Sequence, residues 1–182
     1  MDAGASSLNP ADGPIEVLLG EHRTILQVLD EVERERARLE GGSALREVFW
    51  RDLLHFVDEF DQNLHHQKEE LLLFPALEAA GLSATSGPTA VLRDEHRRST
   101  FWRQRLEQAL VARDRLRVGA AAASYVDLVR LHVLKENQIL FPLARKLLSA
   151  EVLDRLQRDF VPFLADQCVR TWLKNPYAIA EG

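Results

Sequence analysis

His65-His66-Gln67-Lys68-Glu69-Glu70-Leu71-Leu72-Leu73-Phe74-Pro75 returns later in the chain as His132-Val133-Leu134-Lys135-Glu136-Asn137-Gln138-Ile139-Leu140-Phe141-Pro142. Every matched position moves by 67: His65 to His132, Glu69 to Glu136, Pro75 to Pro142. A His and a Glu four residues apart lie on one face of a helix, one turn from each other. Two such pairs can converge on metal. A second repeat lies upstream, where Gly13-Pro14, Val17-Leu18 and Glu21-His22-Arg23 return as Gly87-Pro88, Val91-Leu92 and Glu95-His96-Arg97. The chain therefore reads as a duplicated two-helix unit, each copy supplying two histidines and one helical Glu.

Working outward, 182 residues suit one domain with a real core. A formal charge of −5 argues against a nucleic-acid surface, which would be basic. No segment approaches the ~18 apolar residues of a membrane span, so no membrane partner is expected. The start, Met1-Asp2-Ala3-Gly4-Ala5-Ser6-Ser7, lacks the basic and apolar regions of a secretory signal, and a cytoplasmic location is the default. The single cysteine, Cys168, excludes an internal disulfide and a cysteine-based zinc cluster.

Residues 1–12 are small and polar and read as a mobile segment. Pro14 marks a helix start, since its missing N–H has no partner in a first turn. Ile15, Leu18, His22, Ile25, Leu29 and Val32 then keep the three-four spacing of an amphipathic helix, ended by Gly41-Gly42. Ser43 reads as the cap of a second helix, which Pro75 kinks or ends. A third helix opens near Pro88 and fades near Gly119, and a fourth runs from about Ala120 to Leu148. The expected fold is all-α: an antiparallel up-down-up-down four-helix bundle over residues 13–148. Residues 149–182 form a C-terminal extension, with Ser149 capping a fifth helix that Pro162 bends and Asn175-Pro176 closes.

Depth along the rods lets the motifs meet. His22 and His96 each follow a helix-starting proline by eight residues, or about 12 Å. His65 and His132 each precede a proline by ten residues, or about 15 Å. In an up-down-up-down bundle these ends coincide, so all four imidazoles arrive at one level. At 100° per residue, Leu54, Leu72 and Ala76 lie within about 20° of His65, Glu69 about 40° away and His66 about 100° off. The same count places Ile139 and Leu143 beside His132. A carboxylate on such an apolar stripe needs compensation, and a bound cation supplies it. The Leu-Phe-Pro triplets read as packing below the site.

The order His22, His65-x-x-x-Glu69, His96, His132-x-x-x-Glu136 resembles the hemerythrin-like, or HHE cation-binding, family over roughly residues 13–148. That resemblance implies two iron ions with an oxo or hydroxo bridge inside the bundle, with another divalent metal as the alternative. His22, His65, His96 and His132 would be terminal ligands, and Glu69 and Glu136 bridges. The ferritin-like di-iron class differs, placing Glu three residues before its His. Oxygen carriers of the hemerythrin family place a further histidine four residues after the third-helix ligand, where this chain has Thr100, and an Asp at a spacing of five, where it has Glu136 at four. For two six-coordinate irons, four histidines, two bridging glutamates and one solvent bridge leave two positions open. The site therefore resembles the branch that includes iron–sulfur-cluster repair proteins and proteins handling NO or peroxide.

Asp58, Asp61 and Tyr125 are candidates for contacting the ligands from behind. His66 reads as a solvated neighbour of His65, Lys68 and Lys135 as outward-reaching lysines, and His55 as too distant for the cluster. Glu70 matches Asn137 in the other copy, which argues against a symmetric ligand role. The leading expectation is a di-iron protein that binds, senses or turns over O2, NO or peroxide; whether it is an enzyme stays open. Iron storage or delivery, including cluster repair, and a redox-inert helical interaction module are the alternatives. The fifth helix either covers the bundle or presents Phe160, Phe163 and Trp172 to a second copy as a homodimer.

Overall fold

The computed structural model describes residues 13–165, and among them every regular element is helical, with no strand. Pro14 opens the first helix, Pro14–Glu40, as its missing N–H predicts. Gly42 then adopts φ +90°, a left-handed conformation that glycine enters without a Cβ clash. With it, Ser43 donates its N–H to the Arg38 carbonyl at 3.0 Å, and Gly42 donates to Leu39 at 3.0 Å. Ser43 thus closes the first helix instead of capping the second, which starts at Glu47 without a side-chain cap.

The second rod is continuous from Glu47 to Ala79 but changes pitch along its length. An α-helical Glu47–Phe56 passes into a π-helical Val57–His66, a second π-helical stretch Glu69–Leu73, and a final α-helical Phe74–Ala79. Pro75 neither ends nor breaks it. The wide turn just before Phe74-Pro75 makes room for the ring, which would otherwise strike the preceding turn of an α-helix. The fourth rod repeats the device: Arg115–Lys135 is α, Glu136–Leu140 is π, and Phe141–Leu147 is α again around Pro142. Both short π stretches begin at a motif glutamate.

That extra residue per turn shifts the buried register by one. Leu54 is buried as expected, but the wall below the histidines is Leu73 and Leu77, not Leu72 and Ala76. Below His132 it is Leu140 and Ala144, while Ile139 is half exposed and Leu143 only partly covered. A count of 100° per residue holds only for i→i+4 hydrogen bonding, and here the ladder is i→i+5.

The third helix, Pro88–Val111, ends well before Gly119, which lies inside the fourth. No glycine or proline marks this turn. Arg113 takes the left-handed position at φ 51°, Asp114 donates its N–H to the Ala109 carbonyl at 3.0 Å, and the Asp114 carboxylate caps the fourth helix by accepting from Arg117 N–H. Ser149 caps the fifth helix, Ala150–Phe160, by accepting from Val152 N–H at 3.4 Å, and a 3-10 turn Val161–Ala165 follows at Pro162. The proposed closure at Asn175-Pro176, together with Cys168 and Trp172, lies outside the described residues.

The rods form an antiparallel bundle with the fifth helix against the first two. Its interior is two apolar clusters. One gathers Ile25, Trp50, Phe56, Phe60, Val126 and Val129 with their neighbours; the other gathers Leu18, Leu73, Phe74, Leu140, Phe141 and Phe160. A layer of buried polar side chains separates them. An arginine at φ 51° carries steric cost that glycine avoids. We therefore expect Arg113→Gly to raise stability by about 0.5–1 kcal/mol, read as a higher melting temperature; a lower one would show that the surface ion pair of Arg113 with Glu47 outweighs backbone relief.

Candidate metal centre

The polar layer is built by the two repeats. His22 comes from the first helix, His65 and Glu69 from the second, His96 from the third, and His132 and Glu136 from the fourth. All six side chains are buried and all six meet. His22 Nε2 lies 3.0 Å from His65 Nε2, and His96 Nε2 lies 3.1 Å from His132 Nε2. The carboxylates sit between these pairs. Glu69 directs Oε1 toward His65 Nε2 at 3.6 Å and Oε2 toward His96 Nε2 at 3.4 Å. Glu136 Oε2 lies 3.1 Å from His22 Nε2 and 3.2 Å from His132 Nε2. Two clusters able to hold a cation result: His22, His65, Glu69 and Glu136, and Glu69, His96, His132 and Glu136. They share both glutamates.

The opposite ring nitrogens are all anchored. His65 Nδ1 faces Glu21 Oε2 at 3.0 Å, and His132 Nδ1 faces Glu95 Oε2 at 3.2 Å. Glu21 and Glu95 are themselves held by Lys68 and Lys135. His96 Nδ1 faces Glu70 Oε1 at 2.7 Å, and His22 Nδ1 faces Asn137 Oδ1 at 2.7 Å. An oxygen acceptor at Nδ1 places the proton there and leaves Nε2 as a lone pair. Four such lone pairs then converge with four carboxylate oxygens, and none of the oxygens of Glu69 or Glu136 has a hydrogen-bond partner. Eight buried acceptors with no donor among them are costly unless cations sit between them. Imidazole and carboxylate together suit divalent transition metals, so the donor set fits a metal pair. Phe141 stacks under His22 at 5.2 Å and Phe74 under His96 at 5.7 Å, so the triplets do pack below the site.

Several sequence-based expectations change. Lys68 does not reach outward: it is wholly buried, paired with Glu21, and lies 5.6 Å over the Phe160 ring of the fifth helix. Its counterpart Lys135 is 41% exposed among the described residues. His66 is not solvated; at 6% exposure it stacks on His96 with ring centroids 3.8 Å apart. A residue 100° from the bundle axis faces the seam between neighbouring helices, which the third helix fills. Glu70 and Asn137 lie outside the clusters, yet each anchors one Nδ1. Asp58 belongs to an ion pair with Arg103 on the bundle flank, 2.6 Å, away from the layer. Asp61 and Tyr125 are buried in it, with Tyr125 donating its hydroxyl to Asp61 Oδ2 at 2.8 Å. His55 is exposed. Glu21 and Glu95 were visible in the repeated Glu-His-Arg triplet, but each serves a histidine of a different helix, a relation that no single-helix count contains.

When no cation is bound, protons must take its place. Burial disfavours an imidazolium at His65, yet the charge of Glu69 and the hydrogen bond to Glu21 outweigh it and raise its pKa to about 9. Burial likewise works against His132, but Glu136 drives its pKa well above the usual value. A group raised from 6.5 to about 9 stabilises the fold fully below pH 6.5 and loses that contribution as pH rises through 9. The metal-free protein should therefore become less stable between pH 6.5 and 9, and divalent metal should abolish that slope; a flat profile would refute proton occupancy of the layer. Removing one partner of a buried ion pair costs about 3–5 kcal/mol, so Glu21→Gln, which strands Lys68, should destabilise by about that amount. Glu95→Gln leaves Lys135 to water and should cost about 1 kcal/mol or less. Equal losses in denaturant titrations would contradict the asymmetry.

Comparison with known proteins agrees with this geometry. The chain is 28% identical over 149 residues to uncharacterised proteins of Mycobacterium tuberculosis and Mycobacterium bovis, covering 78% of its own length. It spans 56% of those relatives, or about half their length. No solved structure matches it. The model of the hemerythrin HHE cation-binding domain matches residues 13–144, which contain both repeats and the whole polar layer. The chain belongs to the hemerythrin HHE cation-binding family.

Proposed function

We propose that this is a non-heme di-iron protein that binds, senses or turns over O2, NO or peroxide. His22, His65, His96, His132, Glu69 and Glu136 would hold the irons, the two carboxylates belonging to both clusters. One observation carries the reading: four imidazoles and two carboxylates, all buried, form two four-residue clusters that share both carboxylates, and no oxygen of Glu69 or Glu136 has a hydrogen-bond partner. A single cation would leave half of them uncompensated, whereas two satisfy both clusters. A bound iron pair supplies reversible redox change and open positions for a diatomic molecule or peroxide.

The chain's own residues set the conditions. Glu21, Glu95, Glu70 and Asn137 fix each ring's tautomer and aim. The apolar clusters above and below exclude bulk water, which suits a small ligand over a bulky charged substrate. Full burial also supports a resident metal pair over cargo for delivery, since release would require opening the bundle.

Protein isolated without added metal should contain about two irons per chain under this reading. Its optical spectrum should carry an oxo-bridge band that changes with peroxide or NO. His132→Ala or Glu136→Ala should lose that band while the far-ultraviolet helix signal remains. One loosely held iron would favour storage or delivery, and zinc alone would sink the redox reading.

A further inference from the structure

We infer, on the di-iron reading above, that Tyr125 is a one-electron donor to the metal layer and that Asp61 takes the proton it gives up. The two side chains come from different rods, the fourth and the second, and both are buried. The Tyr125 hydroxyl donates to Asp61 Oδ2 at 2.8 Å, while Asp61 Oδ1 is buried with no hydrogen-bond partner. The duplicated fold does not itself require this pair. Leu128 stands where Asp61 would be in the other copy, and Asp58 where Tyr125 would be.

A phenol that loses an electron becomes a strong acid, so the electron leaves readily only where a base can take the proton at once. In an apolar interior that base must already be in place. Asp61 is in place, accepting the hydroxyl it would deprotonate. Burial is the largest influence on the Asp61 pKa and raises it, so this carboxylate holds an added proton more firmly than a solvated one. Burial and the Asp61 charge drive the Tyr125 pKa well above the usual phenol value. The hydroxyl therefore keeps its proton until an electron goes.

Packed contacts lead from the phenol to the layer. Asp61 Oδ1 lies 3.5 Å from His66 Nε2, and the His66 ring stacks on His96 with centroids 3.8 Å apart. Tyr125 also precedes His132 by two turns of one α-helix, about 10 Å along its axis, a span that electrons cross through packed protein. The oxidant is a peroxide. As its O–O bond breaks it takes up two electrons and, with two protons from water, leaves as two molecules of water. A single electron would instead release a hydroxyl radical. Where the metal pair has only one electron to give, Tyr125 gives the other. Its O–H bond breaks, the proton bonds to Asp61 Oδ2, and a neutral phenoxyl radical remains.

Freeze-quench electron paramagnetic resonance tests this on iron-loaded protein carrying one ferrous and one ferric ion, mixed with hydrogen peroxide. The chain has two tyrosines, Tyr125 and Tyr177, so two variants assign the signal. Wild type and Tyr177→Phe should give a narrow organic-radical signal whose hyperfine structure collapses with ring-deuterated tyrosine. Tyr125→Phe should lose it, with iron content and the far-ultraviolet helix signal unchanged. Asp61→Asn keeps a hydrogen-bonding side chain but not the base, so the radical should form about a hundredfold more slowly. A tyrosyl signal that persists in Tyr125→Phe, wild-type formation in Asp61→Asn, or no radical in wild type holding two irons would each overturn the inference alone. Fewer than two irons in wild type would overturn the two-metal reading and the inference with it.

Discussion

Two glutamates and four imidazoles with no hydrogen-bond donor among their converging atoms are the constraint on which the rest of the structure depends. An apolar bundle tolerates such a layer only if something positive occupies it. The surrounding design follows. The core is split into two clusters, each closing one side of the layer, and the phenylalanines of the Leu-Phe-Pro triplets lie flat beneath His22 and His96. Outside the imidazoles stands a ring of oxygens from Glu21, Glu95, Glu70 and Asn137, with lysines behind two of them. Outward from the centre, carboxylates and imidazoles are thus followed by carboxylates and, on two sides, by lysines.

Duplication produces this layer cheaply in sequence, but the copies have diverged where chemistry requires a difference. Glu70 lends a charged acceptor to His96, while Asn137 lends a neutral one to His22. Lys68 is sealed by Phe160 of the fifth helix, while Lys135 meets water. His66, Asp61 and Tyr125 occur on one side only. Each difference makes the two halves electrostatically unlike, within a framework whose backbone repeats closely. Phe160 of the fifth helix lies over Lys68 of the first copy, so part of this asymmetry comes from outside the duplicated unit.

The π-helical stretches show how local backbone serves the centre. Both short stretches start at the bridging candidates and stop before Phe-Pro, and a proline two residues downstream of each makes the wide turn favourable. The extra residue in the turn sends Leu73 and Leu140 into the core in place of Leu72 and Ile139. It also leaves Glu69 and Glu136 close to their own histidines while their carboxylates reach across to the next helix.

The sequence by itself determined the helical class, the duplication, the antiparallel order and the common depth of the six polar side chains. All of these follow from spacing along single rods, where rise per residue is nearly constant. It did not contain the pitch change in the second and fourth rods, because a hydrogen-bond ladder can widen without altering the residue pattern. Nor did it contain the partners of the outer ring nitrogens, the burial of Lys68 and His66, or the turn at Arg113. Those depend on which helix lies alongside, and an interaction between side chains 44 residues apart, such as Glu21 with His65, exists only once the rods have packed.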